Sequence, residues 1–303
     1  MLCMILVSCT GQKTGKENDN NDKIAIEVGE IKFPPQDVLQ LKSYYLSSSV
    51  HVDSIDYLIG YNYRLHSLDC MNLKSKSVTQ IVLPGDGPDA IVRLSGIYAQ
   101  SLDSVWISDE SERAFLIDSV GTIKRMIDLK KYLEDQEQLL INTNYAMFTS
   151  HLFYNASRHS LMFLVKHTPS NTFIVKEAFI DEVGKMATYQ LSSSKVVPDM
   201  SKGYAYINFP NVNFVGENIV YNYPVESSIY MLDIRTNERK YILADSHYTS
   251  NIIEKCTTSG DYATLEKHWL ENSHFYDIMY LPKYKIYARL HADKVDFDEK
   301  KGM

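Results

Sequence analysis

Four short segments of this 303-residue chain each run through apolar residues into an aspartate: Leu65 to Asp69, Ala114 to Asp118, Ala178 to Asp181 and Ile229 to Asp233. The aspartates lie 49, 63 and 52 residues apart. After each comes a polar turn and then a run ending on Leu83, Leu129, Leu191 or Leu243. The last three leucines fall 11, 10 and 10 residues beyond their aspartate, and the first falls 14 beyond. Before each aspartate sits another apolar run: Tyr57–Ile59, Val105–Ile107, Leu161–Val165 and Ile219–Tyr221. A fifth unit starts at Tyr276–Tyr280 and resumes at Lys285–Ala288. Units of three or four strands recurring near every 50 residues have the period of β-propeller blades.

The strands support that architecture. A blade is packed on both faces by its neighbours, so its inner strands read as continuous apolar runs, as Leu161–Val165 does. A two-sheet sandwich, the alternative, would expose one face and give cleaner alternation. The expected fold is therefore all-β, a propeller of the six-bladed type, spanning residues 24–303 with about four and a half blades visible. Helix formers at Lys130–Leu140 and Asp261–Leu270 predict two short helical insertions, with Leu265 and Trp269 on one helix face. The stretch Ile24–Phe33 is expected to supply one closing strand. The segment from Tyr276 to Met303 is too short to finish a fifth blade and add a sixth. A longer original protein is the expectation that follows.

Residues 1–9 form an apolar segment ending Leu6-Val7-Ser8-Cys9, and residues 10–23 carry no Leu, Ile, Val or aromatic side chain. The first reads as the remnant of a lipoprotein signal, with Cys9 as the lipidated residue. No Lys or Arg precedes Cys9, so the signal looks clipped by a start codon placed too late. The second cannot bury anything and predicts a disordered tether. Nothing in the chain supplies the roughly 20 apolar residues a membrane-spanning helix needs. The expected location is the outer membrane, held by an N-terminal lipid, on the periplasmic or the cell-surface side.

Few residues advertise chemistry. In Asp118-Ser119-Val120-Gly121 and Asp181-Glu182-Val183-Gly184, Asp opens and Gly closes a four-residue turn. Asp69, Asp118, Asp181 and Asp233 are therefore expected to accept hydrogen bonds from their own turns' amides. Gly85-Asp86-Gly87-Pro88 reads as a tight loop between the first two blades, because Pro88 lacks the amide a phosphate loop would use. Neither Cys-x-x-Cys nor His-x-His occurs, and His151, His159 and His167 need not converge. No metal, no cofactor and no catalytic residue is expected. Cys70 and Cys256 are left as either a free pair or a disulfide. A formal charge of 31 − 38 = −7 argues against nucleic acid as a partner.

With Leu6–Cys9, the Gly85-Asp86-Gly87-Pro88 turn, Ser227–Asp233 and the late Tyr276-Asp277 and Lys285–Arg289 segments in hand, the chain resembles an uncharacterised family of Bacteroides-type lipoproteins with TolB-like six-bladed propellers. The resemblance implies a propeller at the cell envelope and carries no activity. The expected role is binding or scaffolding, with an envelope protein or glycan as partner. The alternative is a propeller lyase or glycan hydrolase with its site at the central channel.

Overall fold

The computed structural model describes residues 31–33, 44–141, 152–197, 209–256, 262–282 and 284–295. The signal remnant with Cys9, the tether, most of the proposed closing strand and the C-terminal residues 296–303 lie outside that set; Ile31–Phe33 are described and carry no strand.

Each repeat is an antiparallel meander in which consecutive strands pair. Blade 1 contains β1 (Ser47–Val52), β2 (Ile55–Asn62), β3 (Ser67–Asn72) and β4 (Val78–Val82). Blade 2 contains β5 (Leu94–Ser101), β6 (Ser104–Asp109), β7 (Arg113–Ile117) and β8 (Ile123–Asp128). In blade 3 the inner strand is split into β9 (Glu137–Leu139) and β10 (Phe153–Asn155). Both pieces pair with β11 (Ser160–His167), which is followed by β12 (Thr172–Phe179) and β13 (Met186–Gln190). Blade 4 contains β14 (Asn211–Val215), β15 (Asn218–Asn222), β16 (Ile229–Asp233) and β17 (Arg239–Ile242). A fifth sheet has two strands, β18 (His274–Leu281) and β19 (Ile286–Ala292). The fold is an all-β propeller arrangement, but six blades are not present: the described residues form four complete blades and one two-stranded sheet.

Alternate side chains of one strand enter different seams. Leu161, Phe163 and Val165 of β11 pack with Trp106 of blade 2, while Met162 and Leu164 pack with Val212 and Phe214 of blade 4. Val105 and Ile107 of β6 likewise face blade 1, and Trp106 between them faces blade 3. A strand buried on both faces has no use for polar alternation, which is why these segments are apolar throughout. The seam between blade 4 and the two-stranded sheet is the thinnest, with a buried apolar core of Val220, Ile229, Ala244 and Ile278.

Of the two expected helical insertions, the second exists as α1 (Tyr262–Glu271), and Trp269 packs against the core of blades 3 and 4. The first does not. Lys130–Leu140 carries only the end of a 3-10 turn (Leu129–Tyr132), capped by the Asp128 carboxylate, and then β9. Its helix formers yield to tertiary pairing: Leu139 lies opposite Val165, and Leu140 N donates to Leu164 O at 2.8 Å.

The turn aspartates do not behave alike. Asp118 Oδ1 accepts from Val120 N and Thr122 N, and Gly121 N donates to Asp118 O. Asp233 Oδ1 accepts from Arg235 N and Thr236 N. Asp69, by contrast, stands in mid-strand, fully buried, and accepts from Tyr44 Oη, Asn62 Nδ2 and Gln80 Nε2. Gly60 lies opposite it, and a Cβ there would come within 2.4 Å of the Tyr44 ring. The turn position of blade 1 belongs to Asn72, whose Oδ1 accepts from Lys74 N and Ser75 N. Asp181 is also displaced. Its turn closes from Lys185 N to Glu182 O with Gly184 (φ +81°) third, and its carboxylate reaches Arg125 of blade 2 and His159. An aspartate beside a cationic neighbour on the next blade gains more from that charged hydrogen bond than from its own amides.

Gly121 tests the turn reading directly. Its φ is +86°, and a Cβ would meet the carbonyl oxygen of Val82 in blade 1 at 2.4 Å. Gly121→Ala should cost about 1–3 kcal/mol through backbone strain, read as a lowered urea midpoint at constant slope. A cost below ~0.5 kcal/mol would mean that the blade 1 contact is not held.

Candidate functional site

The seam between blade 4 and the two-stranded sheet collects buried polar groups. It begins in the β15–β16 connection, where Pro224 lacks an amide and Glu226 N closes a turn onto Tyr223 O. This loop is sewn to its surroundings by main-chain bonds: Ser227 N to Asn251 O, Ile253 N to Val225 O and Phe275 N to Pro224 O. Ser227 Oγ donates to Asp245 at 2.6 Å. From β19, Arg289 donates to the carbonyls of Ser227 at 2.7 Å and Ala244 at 3.1 Å, with its guanidinium 4.4 Å from the Phe275 ring centre. Two asparagines of β14 lock the sheet in place, Asn211 through Phe275 O and Asn213 through Ile278 O.

Between β16–β17 and β19 this packing leaves a small hollow of about 40 Å³. Ile229, Ile242 and Ala244 line one wall, and Tyr287, Ala288, Arg289 and His291 line the other. That is far below the roughly 300–1,000 Å³ of drug-sized ligand sites, although its walls are mostly apolar as theirs are. His291 is only 6% exposed, yet its Nε2 has no hydrogen-bond partner. Burial and then the Arg289 charge hold its imidazole below the usual range. Glu226 is wholly buried, accepts from Tyr230 Oη at 2.9 Å through Oε1, and leaves Oε2 unpartnered. Burial pushes its carboxyl up, against the pull of nearby hydroxyls and Arg289.

His274, which stacks on Trp269 at 3.5 Å, is lowered by burial from 6.5 to about 4. A buried base with a depressed pKa supports the fold fully above pH 6.5. The support fades as pH falls toward 4, because the unfolded chain then binds a proton that the folded one refuses. The loss should reach about 3 kcal/mol across that window. His274→Phe should flatten the acid limb of a stability–pH curve; an unchanged limb would place its origin elsewhere.

Sequence reasoning did not single out Glu226 or His291, and it named Arg289 only as part of the Lys285–Arg289 segment. The available signal was the period-two face Tyr287-x-Arg289-x-His291, which puts a cation and an imidazole on the same side of an otherwise apolar strand. Of the lining residues, Ile229, Tyr287, Ala288 and Arg289 fall in the segments that carry the family resemblance, but none of the expected turn, loop or lipid-attachment residues lines the cleft. The Gly85-Asp86-Gly87-Pro88 loop joins β4 to β5 as an inter-blade connection, with Gly87 at φ +92° and Ile91 N bonded to Pro84 O. Asp69, Asp118, Gly121, Asp181, Gly184 and Asp233 belong to blades 1 to 4. His159 reaches Asp181 and His167 reaches Ser170, so these histidines do not converge; His151 lies outside the described residues. Cys70 and Cys256 are both buried, and they form no disulfide. Among the described residues no three His, Cys, Asp or Glu side chains are grouped to hold a metal, and no helix is long and apolar enough to cross a membrane.

No protein-family model matches the sequence, and no curated protein sequence matches it. Solved structures do. The chain is similar to a member of the DUF4221 family from Bacteroides vulgatus, with a TM-score of 0.69 and 14% identity over 88% of this chain and 76% of that one. A protein of unknown function from Bacteroides caccae matches at a TM-score of 0.39 and 8% identity, over 76% of this chain and 62% of that one. An oligogalacturonate lyase from Vibrio parahaemolyticus matches at a TM-score of 0.39 and 9% identity, over 82% and 64% respectively. The first of these likenesses shows a shared fold.

Proposed function

We propose that this protein is a binding module of a bacterial cell envelope, anchored by a lipid on Cys9 and related to the Bacteroides lipoproteins that its propeller resembles. The seam beside β19 carries the reading: its hollow is small and mostly apolar and the polar groups around it are engaged in bracing, which suits a recognition surface better than a site of turnover. Ser227 Oγ is spent on Asp245, and Arg289 is spent on main-chain carbonyls, so these groups act as braces. The apolar run into Cys9 and the polar stretch after it support a tethered body.

Two measurements test this. Labelled palmitate should enter the native protein in its host and fail to enter Cys9→Ala; incorporation into the variant would remove the anchor. A photo-crosslinking amino acid at position 242 should give a discrete adduct with an envelope component in intact cells. Its absence, with the protein folded, would remove the cleft as the binding site.

A further inference from the structure

We infer that Glu226 is a pH-operated latch: as a neutral acid it fastens residues 191–197, the start of the link between blades 3 and 4, onto blade 4, and its ionisation as pH rises loosens them. The inference goes beyond the binding reading and does not depend on what is bound. Three tyrosine hydroxyls of blade 4 hold the link. Tyr221 Oη accepts from Ser192 N at 2.8 Å, Tyr223 Oη donates to Ser192 O at 2.9 Å, and Tyr230 Oη accepts from Lys195 N at 2.9 Å. Tyr230 Oη in turn donates to Glu226 Oε1 at 2.9 Å, so main chain, phenol and carboxyl form one hydrogen-bonded series. Glu226 is wholly buried, and its Oε2 has no partner.

The two protonation states differ in what they leave uncovered. The acid keeps the Tyr230 bond through its carbonyl oxygen and leaves one hydroxyl unpaired. The anion leaves a full charge out of water, which is the larger cost. The neighbours do not offset it. Arg289, whose field reaches Glu226, is spent on the carbonyls of Ser227 and Ala244, and the Lys195 ammonium lies over the Tyr241 ring at 4.6 Å. Burial raises Tyr221, Tyr223 and Tyr230, so all three stay neutral. Ser227 and Ser228 hydroxyls engage Asp245 and Tyr241. Burial accordingly lifts the Glu226 carboxyl above its ordinary 4.5 by more than the hydroxyls and Arg289 lower it. The folded protein keeps a proton that the unfolded chain releases, so this contribution is complete below pH 4.5 and is lost as pH rises through the folded value. Ser194 and Lys195 put the link against this group, and opening it lets water reach the carboxylate. His274 acts with the opposite sign below pH 6.5, so the latch is read on the link itself and against a variant that cannot ionise.

The test is hydrogen exchange of the full chain at about pH 5 and pH 8, read by mass spectrometry and corrected for the intrinsic pH dependence of exchange. In wild type, protection of peptides covering residues 192–197 should fall about tenfold or more between the two, relative to β11 and β12 in the same spectra. Glu226→Gln keeps an acceptor for Tyr230 and cannot ionise. Its ratio should stay constant, and its urea midpoint at pH 8 should exceed that of wild type. A constant ratio in wild type overturns the latch, whether or not the variant folds. An equal fall in both proteins assigns the titration to another group and overturns it as well. A link less protected in Glu226→Gln than in wild type at pH 8 makes the carboxylate the fastening form, which is the reverse of the proposal.

Discussion

Replacing Glu137 by leucine should cost the fold about 3–5 kcal/mol, although the residue does not line the hollow beside β19. Lys176 is the reason. It stands on β12 between Phe163 and Thr188 with a side chain wholly removed from water. Its ammonium meets Glu137 Oε2 at 2.5 Å and donates to the Tyr132 carbonyl at 2.8 Å, while Glu134, at 3.7 Å, is largely solvated. Without Glu137 a buried charge keeps one carbonyl and a distant, exposed carboxylate. The pair itself adds little net stability, because removing two ions from water consumes most of their attraction. Glu137→Leu with Lys176→Met should therefore return to within about 1 kcal/mol of wild type. Urea unfolding of the two single variants and the double closes the cycle. A single-variant cost below ~1 kcal/mol would mean that water reaches Lys176.

Trp106→Ala should cost a comparable 3–5 kcal/mol, roughly, by opening a cavity in the seam of blades 2 and 3. The indole is 2% exposed, stacks on Tyr154 at 5.8 Å, and shares its cluster with Leu161, Phe163 and Val165 of the next blade. The chain has two tryptophans, so this variant also isolates the emission of Trp269 and makes the loss visible by fluorescence. Trp106→Phe, which retains a ring against Tyr154, should cost less than half as much. Equal losses for the two variants would show that neither the retained ring contact nor the retained volume holds the seam and that the whole indole is required.

The repeat and the two-sided burial were legible because they follow from periodicity alone, whereas the first strands β1 and β14 of blades 1 and 4 and the number of blades were not. Val105–Ile107, Leu161–Val165 and Ile219–Tyr221 each feed two seams, and nothing polar interrupts them. The register of blade 1 was misread through Asp69. The warning lay in the 14 residues from Asp69 to Leu83, which become 11 when counted from Asn72, in line with the other blades. An asparagine can accept the same turn amides. The inner strand of blade 3 was hidden because Glu137 and Leu139 serve partners 26 to 39 residues away, on β11 and β12, which local propensity does not see. The cleft was invisible for a related reason: its walls come from β16–β17 and β19, and only folding decides which residues of each face one another.

Apart from β9, which pairs with β11 across β10, the strand pairing inside the blades is between chain neighbours, and the buried clusters of the blades lie in the seams between neighbours. Such an object behaves like a short one-dimensional chain of coupled units, where stability is a sum of unit terms and nearest-neighbour couplings. Opening should then begin at the weakest coupling and run inward, not break out everywhere at once. The thin core of Val220, Ile229, Ala244 and Ile278 makes the β18–β19 unit that starting point. Amide exchange should release β18–β19 well before β11 and β12, and anything bound beside β19 would slow the release of that unit first.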